Sequence, residues 1–133
     1  MKVIHDAKGD HYYALNIVDL STTFQAMAML DGCSAEECAE KFWLWWVVWA
    51  GPPKTMVTDM GTSFLAAFLT LAERYSATSR VIPTEAPWQI GMVERHGGVL
   101  ADVINMTVAQ TGATGKTEMM LVLISAAAAK NRR

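Results

Sequence analysis

Cysteine is scarce in this sequence, and apolar segments long enough to cross a membrane are missing from it. The 133 residues include two cysteines, Cys33 and Cys38. Their spacing fits neither the C-x-x-C pattern of a zinc site nor the framework of a disulfide-rich protein. The apolar run from Trp43 to Ala50 is far shorter than the ~20 residues that span a bilayer. We therefore expect reduced thiols and no membrane segment.

A secretory leader is the second absence. The chain does not open with a basic segment followed by an apolar stretch and a cleavage site, which is the pattern of an exported protein. Together with the reduced cysteines, this favours an intracellular protein of the nucleus or the cytoplasm, without a membrane partner.

An excess of positive charge is the third absence. Eleven lysines and arginines stand against thirteen aspartates and glutamates, which gives a formal net charge of -2. A protein that binds nucleic acid on its own is usually basic, because phosphate contacts provide much of the affinity. The composition therefore disfavours a free-standing nucleic-acid binder, unless flanking domains of a longer protein supply the charge.

The sequence is rich enough in apolar residues for one compact core. They make up 52% of the chain, and a domain of this size buries roughly two thirds of its unfolded surface. Residues 1–6 and 11–19 flank turn-forming residues at 7–10, which predicts a β-hairpin. The alternating segment from Thr23 to Leu30 predicts a third strand that continues the hairpin as a meander.

The rest of the chain predicts helices that alternate with short strands. Ser34 and Glu37 form a capping box, which predicts the start of a helix, and the Gly51-Pro52-Pro53 segment ends it. Pro87 and Gly91 indicate a mobile surface loop. The predicted segments are a helix at 34–50, a strand at 55–59, a helix at 63–75, a strand at 80–82, a loop at 84–91 and helices at 92–110 and 117–130.

This order of elements predicts an α/β fold. The first three strands follow one another closely and favour an antiparallel meander, whereas the later strands are separated by helices and favour parallel pairing. We therefore predict a mixed five-stranded sheet, led by a three-stranded antiparallel meander and flanked by helices.

Four tryptophans crowd the first predicted helix. Trp45 and Trp49 continue the apolar stripe of Phe42 and are predicted to lie in the core. Trp43 and Trp46 lie off this stripe, and an exposed aromatic pair usually marks a surface for a partner.

Two carboxylates occupy places where α/β proteins bind ligands. Asp59 ends a predicted buried strand, and Glu94 lies in the first turn of the next long predicted helix. Acids that converge at one sheet edge form an oxygen cage for Mg²⁺ or Mn²⁺. Three alternatives remain: Asp59 as a helix cap, Glu94 as an acid that merely favours the helix dipole, and Glu85 as another loop acid.

Three segments resemble a known family. Thr58–Phe64 reads TDMGTSF and Pro87–Arg95 reads PWQIGMVER, similar to the T-D-x-G-x-x-F and P-x-x-x-G-x-x-E-R elements of integrases from retroviruses and long-terminal-repeat retrotransposons. Between Asp59 and Glu94 lie 34 residues, close to the separation that gives this D,D,E family its name. Val18–Thr22 resembles the end of the family's second strand. The chain is most similar to gypsy-type elements, which share the sequence of Leu15–Asp19 and the closing Ala-Lys-Asn of a late helix.

The resemblance implies a ribonuclease-H-like catalytic core that processes DNA 3′ ends and joins them to target DNA. This endonuclease and polynucleotidyl transferase chemistry uses Mg²⁺ or Mn²⁺, with Asp59 and Glu94 implied as catalytic residues and metal ligands. Family members dimerise through the first long helix and a late one, so Trp43 and Trp46 become candidates for a homodimer interface. The candidate DNA contacts are Trp88, Gln89, Arg95 and His96.

The first catalytic acid of the family is not found in this chain. Counting back from Gly9 places it directly ahead of Met1, so we expect residues 1–133 to be an integrase core domain truncated at its N-terminus. Asp6 lies too far along the strand to replace it, and we assign Asp19 to the turn after the second strand. We expect the chain to fold without catalysing. The alternative is a non-catalytic remnant of the integrase fold that acts by DNA binding or oligomerisation.

Overall fold

The computed structural model describes residues 2–51, 53, 55–58, 61–74, 82–83 and 87–132. The strands are β1 Lys2–His5, β2 His11–Val18, β3 Gln25–Leu30, β4 Thr55–Met56 and β5 Ile82–Pro83. The helices are α1 Ala35–Phe42, α2 Val48–Ala50, α3 Gly61–Arg74, α4 Pro87–Thr111 and α5 Gly115–Asn131, and a π-helical turn at Trp43–Val47 joins α1 to α2. The chain is therefore an α/β protein, as predicted.

The first three strands form the predicted antiparallel meander. β1 pairs with β2, and β2 pairs with β3, in the order β1-β2-β3. The predicted third strand begins later than expected, because residues before Gln25 form a turn. In this turn Thr23 has a φ of 61°, and an Asp19 carboxylate oxygen accepts a hydrogen bond from the Ser21 N–H.

The predicted single five-stranded sheet is not seen among the residues that the structure describes. β4 and β5 pair in parallel, as expected, but they form a separate two-stranded sheet. Each of these strands has only two residues. Asp59, at the end of the predicted strand, lies outside the described residues.

Apolar side chains cover both faces of the meander. Successive side chains of a strand point to opposite faces, so Met27 packs with α4 and α5 while Ala28 packs with α1 and α3. β3 therefore carries buried residues on both faces. The largest buried contributions from the helices come from Leu100, Ile104, Met119 and Leu123 on one side and from Phe42, Phe64 and Phe68 on the other.

The capping box forms in a modified way. The Ser34 hydroxyl accepts a hydrogen bond from the Glu37 N–H at 3.1 Å, as the pattern predicts. The Glu37 carboxylate does not return to Ser34 but accepts from the N–H groups of Asp31 and Gly32. It thereby ties the turn after β3 to the start of α1.

The predicted exposure of the tryptophans is wrong for two of them. Trp46 is 8% exposed and belongs to the core, whereas Trp49 is 56% exposed. The cause is the π-helical turn, in which the Val48 N–H reaches the carbonyl of Trp43. This wider turn adds one residue relative to an α-helix, so residues after it are rotated from the face that regular spacing assigns to them. Trp43 is half-buried and its ring lies 6.0 Å from that of Phe68.

The predicted loop at 84–91 is wrong over its second half. α4 begins at Pro87, and proline suits a first helical position because its missing N–H would have no helical partner there. Gly91 lies inside this helix, where it is tolerated. None of the helices that the structure describes is long and apolar enough to cross a membrane.

The two faces of α5 provide a matched test of the packing. Leu123 is fully buried and Leu121 is 60% exposed. We expect Leu123→Ala to lower the free energy of unfolding by about 2–5 kcal/mol, because it removes buried methyl groups and leaves a cavity. Leu121→Ala should lower it by less than about 1 kcal/mol. Urea unfolding followed by circular dichroism measures both, and equal losses would contradict the assigned helix face.

Candidate functional site

A cleft of about 700 Å³ opens beside one end of the meander. Its walls come from β1, β2, the end of α2, the segment after β4, and the first turns of α4. The polar side chains that line it are Lys2, Asn16, Asp19, Ser21, Thr58, Gln89 and Glu94. Apolar side chains, including Trp46, Trp49 and Phe64, line the remainder.

Glu94 brings a carboxylate to this cleft. Its side chain is exposed on α4 and lines the cleft wall. Because α4 begins at Pro87, Glu94 lies beyond the first turn, and the alternative of a simple contact with the helix dipole is wrong. Thr58 lines the same cleft. Its neighbour Asp59, and the alternative acid Glu85, lie outside the described residues.

The side-chain oxygen of Gln89 is a candidate ligand-binding atom. The residue is half-buried and lines the cleft, and its Oε1 is buried without a hydrogen-bond partner in the described part of the chain. A buried carbonyl oxygen is normally paired. An incoming hydrogen-bond donor or a hard cation would satisfy it.

The other three candidate DNA contacts do not line the cleft. Trp88 is 68% exposed, and Arg95 is exposed one residue beyond Glu94, where each helical step turns the side chain by about 100°. His96 is half-buried on α4. Burial, followed by the positive charges of Lys130 and Arg95, lowers the pKa of His96. At neutral pH its imidazole is therefore uncharged.

Asp6 and Asp19, which lie in the two turns of the meander, have structural partners. Asp19 accepts the Ser21 N–H at 3.0 Å, which confirms its predicted place in the turn, and it also lines the cleft. Asp6 is buried in the hairpin turn, where its two oxygens accept four hydrogen bonds. The donors are the N–H groups of Lys8, Asp10 and Gly115 and the hydroxyl of Tyr12.

Lys2 and Asn16 are cleft residues that motif reading missed. Their strand positions carry the signal, since Lys2 pairs with Ala14 and Asn16 follows two residues on along the same face of β2. Side chains two apart share a face, so the register of the hairpin brings both under α4. Among the residues with described positions, no three His, Cys, Asp or Glu side chains come together as a metal-binding group.

Solved structures resemble this architecture over nearly its whole length. The catalytic core domain of the HTLV-2 integrase, in complex with magnesium and in a trimeric form, matches with a TM-score of 0.69 at 19% identity, covering 95% of this chain and 78% of that one. Its dimeric form matches with a TM-score of 0.63 at 18% identity over the same shares. This chain has the fold of an integrase catalytic core. No protein-family model and no curated protein matches the sequence.

The cleft lies at the segments that carry the family-like elements of the sequence. The described cleft lies where β2, the segment after β4 and α4 approach one another. These are the segments that carry the three family-like elements of the sequence.

Both cysteines are free: Cys33 is exposed and Cys38 is buried, and burial raises the pKa of the Cys38 thiol.

Acid should weaken the fold partly through Asp6. Burial acts to raise the pKa of its carboxyl, but the hydrogen bonds from Gly115, Tyr12, Lys8 and Asp10 outweigh burial and hold it below the ordinary value of 3.8. A carboxyl whose pKa is lower in the folded protein than in the unfolded chain stabilises the fold at pH values above its unfolded pKa. This stabilisation is lost as the pH falls through its folded pKa.

We expect the free energy of unfolding to fall more steeply below pH 3.8 in the wild type than in Asp6→Asn, because the variant has no carboxyl to protonate. The variant should also be less stable at pH 7, since an amide N–H₂ cannot accept from Gly115. Urea unfolding at several pH values measures this. Asp102→Asn, at an exposed position of α4, is the control, and equal slopes in wild type and Asp6→Asn would contradict the prediction.

Proposed function

We propose that this chain belongs to an integrase catalytic core whose chemistry processes DNA 3′ ends and joins them to target DNA, with Asp59 and Glu94 as two of its three catalytic acids. The observation that carries the proposal is the meeting of two family-like elements at one cleft. Glu94 and Thr58, the neighbour of Asp59, both line it. The integrase-core fold supports the same reading. A ribonuclease-H-like arrangement, an origin in a retrotransposon and a place in the nucleus or cytoplasm belong to this proposal.

The donors of the cleft suit a divalent cation of the magnesium type. Mg²⁺ and Mn²⁺ favour oxygen ligands, and the described donors here include the Glu94 carboxylate and the Gln89 Oε1, which has no partner among the described residues. Asp59 and Glu94 would hold the ion. When bound, such an ion activates an attacking oxygen and stabilises a leaving oxygen in phosphodiester chemistry.

The remaining side chains would bind and orient DNA. The Lys2 ammonium at the cleft is suited to a phosphate, and Gln89 Oε1 is suited to accept from a base or a sugar hydroxyl. The exposed ring of Trp88 is suited to stack on an unpaired base, and the exposed Arg95 to contact a phosphate. His96, being uncharged at neutral pH, would contribute a hydrogen bond rather than a charge.

Metal binding gives the most direct test of the site. We expect Glu94→Gln and Asp59→Asn each to weaken Mn²⁺ binding at least tenfold, about 1.4 kcal/mol, because each removes a charged ligand and keeps the side-chain shape. Electron paramagnetic resonance of free Mn²⁺ measures the affinity without any need for turnover. Asp102→Asn, which removes an exposed carboxylate further along α4, should leave the affinity unchanged.

Unchanged affinity in both site variants, or an equal loss in Asp102→Asn, would show that the acids do not form a metal site. In that case the chain would keep the integrase fold without its chemistry, and the non-catalytic alternative would be favoured. Binding of a labelled DNA duplex by the same variants separates that alternative from a protein with no DNA function.

We also propose that the chain forms a homodimer. The matched HTLV-2 domains are described in dimeric and trimeric forms. On this chain an apolar groove of about 220 Å³ lies between the start of β3, the end of the first helical segment and α5. Its walls include Phe24, Trp45, Trp49 and Ile124, and this set is called the aromatic groove below. Sequence analysis placed Trp46 at a homodimer interface. Because Trp46 is buried, we assign Trp49 to the interface in its place.

The groove is continuous with exposed apolar residues on α2. The rings of Phe24 and Trp49 lie 5.0 Å apart, and the neighbouring Val48 is exposed by 69%. A second copy of this chain is the occupant that the proposal commits to, since exposed apolar area of this kind usually marks an interface.

We expect Val48→Glu to convert a dimer into a monomer, because it places a charge where the two copies would exclude water. Sedimentation velocity at several protein concentrations measures the association. Val99→Glu makes the same change at a 53% exposed position on α4 and should leave the dimer intact. A monomeric wild type, or a dimer that only Val99→Glu disrupts, would overturn the proposal.

A further inference from the structure

A series of hydrogen-bonded amide residues, Asn16, Gln25 and Asn131, lies beneath α4 and is called the amide chain below. Asn16 donates from Nδ2 to the carbonyl oxygen of Val93 at 3.2 Å, and Gln25 donates from Nε2 to Asn16 Oδ1 at 2.5 Å. Asn131 accepts from the Gln25 N–H at 2.9 Å and donates to the Gln25 carbonyl at 2.7 Å. The amide chain therefore connects the end of α5, β3, β2 and the first half of α4.

The direction of this chain is fixed by its end groups. The Val93 carbonyl can only accept, so the Asn16 N–H₂ must face it. This leaves Asn16 Oδ1 for a donor, which Gln25 Nε2 supplies. Since Gln25 is anchored through its own backbone by Asn131, each amide has one arrangement that satisfies its neighbours.

Gly97 allows the helix to come this close. A Cβ at position 97 would stand 2.7 Å from Asn16 Nδ2 and 2.7 Å from Lys2 Cε, which is nearer than real Cβ atoms approach. In a regular helix the N–H of residue 97 points at the carbonyl of residue 93. Asn16 thus reaches α4 where Val93 and Gly97 face each other across one turn.

The amide chain is not the arrangement that would maximise stability. Apolar residues fill the neighbouring positions of the same sheet face, such as Ala14 and Met27. Gln25 Oε1 is buried without a partner among the described residues, and burying an unpaired amide oxygen is unfavourable. Buried polar groups that lower the stability of a protein commonly hold neighbouring elements in one arrangement.

We infer that Asn16 is a positioning residue for the cleft carboxylate of Glu94. Val93 directly precedes Glu94, so a hydrogen bond to the Val93 carbonyl fixes the peptide that carries the Glu94 side chain. Asn16, Val93 and Glu94 all line the cleft. The inference rests on the proposed function for the role of Glu94, but the hold of Asn16 on α4 is independent of it.

The first experiment measures Mn²⁺ binding, by electron paramagnetic resonance, in Asn16→Leu, Gly97→Ala and Met27→Ala. Leucine keeps the shape of asparagine but has no donor for Val93. Alanine at 97 displaces Asn16 while it favours the helix, since alanine is a better helix former than glycine. Met27 lies directly opposite Asn16 on β3 and is buried, so Met27→Ala weakens the core beside the amide chain without removing any of its hydrogen-bonding groups.

We expect Asn16→Leu and Gly97→Ala to weaken Mn²⁺ binding at least threefold, and Met27→Ala to leave it unchanged while all three remain folded. Equal losses in Asn16→Leu and Met27→Ala would show that Asn16 acts only through stability, and would overturn the inference. Full affinity in Asn16→Leu would overturn it as well.

The second experiment needs no metal. Amide hydrogen exchange of residues 93–97 is compared with that of α3, which packs against the opposite face of the meander, in the same protein. We expect exchange at 93–97 to quicken at least tenfold relative to α3 in Asn16→Leu but not in Met27→Ala. If Glu94→Gln leaves Mn²⁺ binding unchanged, the proposed function fails, and this comparison still decides whether Asn16 positions the helix. Equal relative exchange in the two variants would overturn the inference.

Discussion

The burial of both faces of one three-stranded meander is the constraint on which the rest of this structure depends. A strand with two covered faces has no solvent side, so every polar residue within it must find a partner or lie at the end of the sheet. The polar residues of β1 and β2 follow this rule. Lys2 of β1 reaches the cleft, as does Asp19 directly after β2, and Asn16 of β2 joins the amide chain beneath α4. The cleft is therefore a consequence of the packing as well as the place of the candidate chemistry.

Two helical layers meet this sheet in different ways. On one face, aromatic rings of α1 and α3 pack edge to face, with the ring centroids of Phe42 and Phe68 5.4 Å apart. On the other face, Gly97 lets α4 approach until polar groups touch. The close approach puts the backbone of α4 within reach of the strand side chains. It is the reason that the helix carrying Glu94 is held by hydrogen bonds and not by apolar contact alone.

Local patterns in the sequence were sufficient for much of the fold. The hairpin, the third strand, the cap at Ser34 and the presence of helices at α3 and α5 were all predictable, because each depends on residues close in sequence. The π-helical turn was not, since regular spacing gives no sign of an inserted residue, and this reversed the positions of Trp46 and Trp49. The start of α4 at Pro87 was missed because proline breaks a helix inside but suits its first turn. The motif acids could be named from sequence, whereas Lys2, Asn16 and the unpaired oxygen of Gln89 depend on strand register and tertiary packing.

Trp49 belongs to two concave surfaces in the described part of the chain: it lines the cleft and it lines the aromatic groove. Its place on both follows from the single extra residue of the π-helical turn. Deleting one residue from the π-helical turn would restore regular α-helical spacing. The residues that follow the deletion, up to Ala50, would then be rotated by about 100° around the helix axis. The two surfaces would then change together. A substitution that changes the aromatic groove, the proposed contact between two copies, would thus also change the shape of the cleft wall.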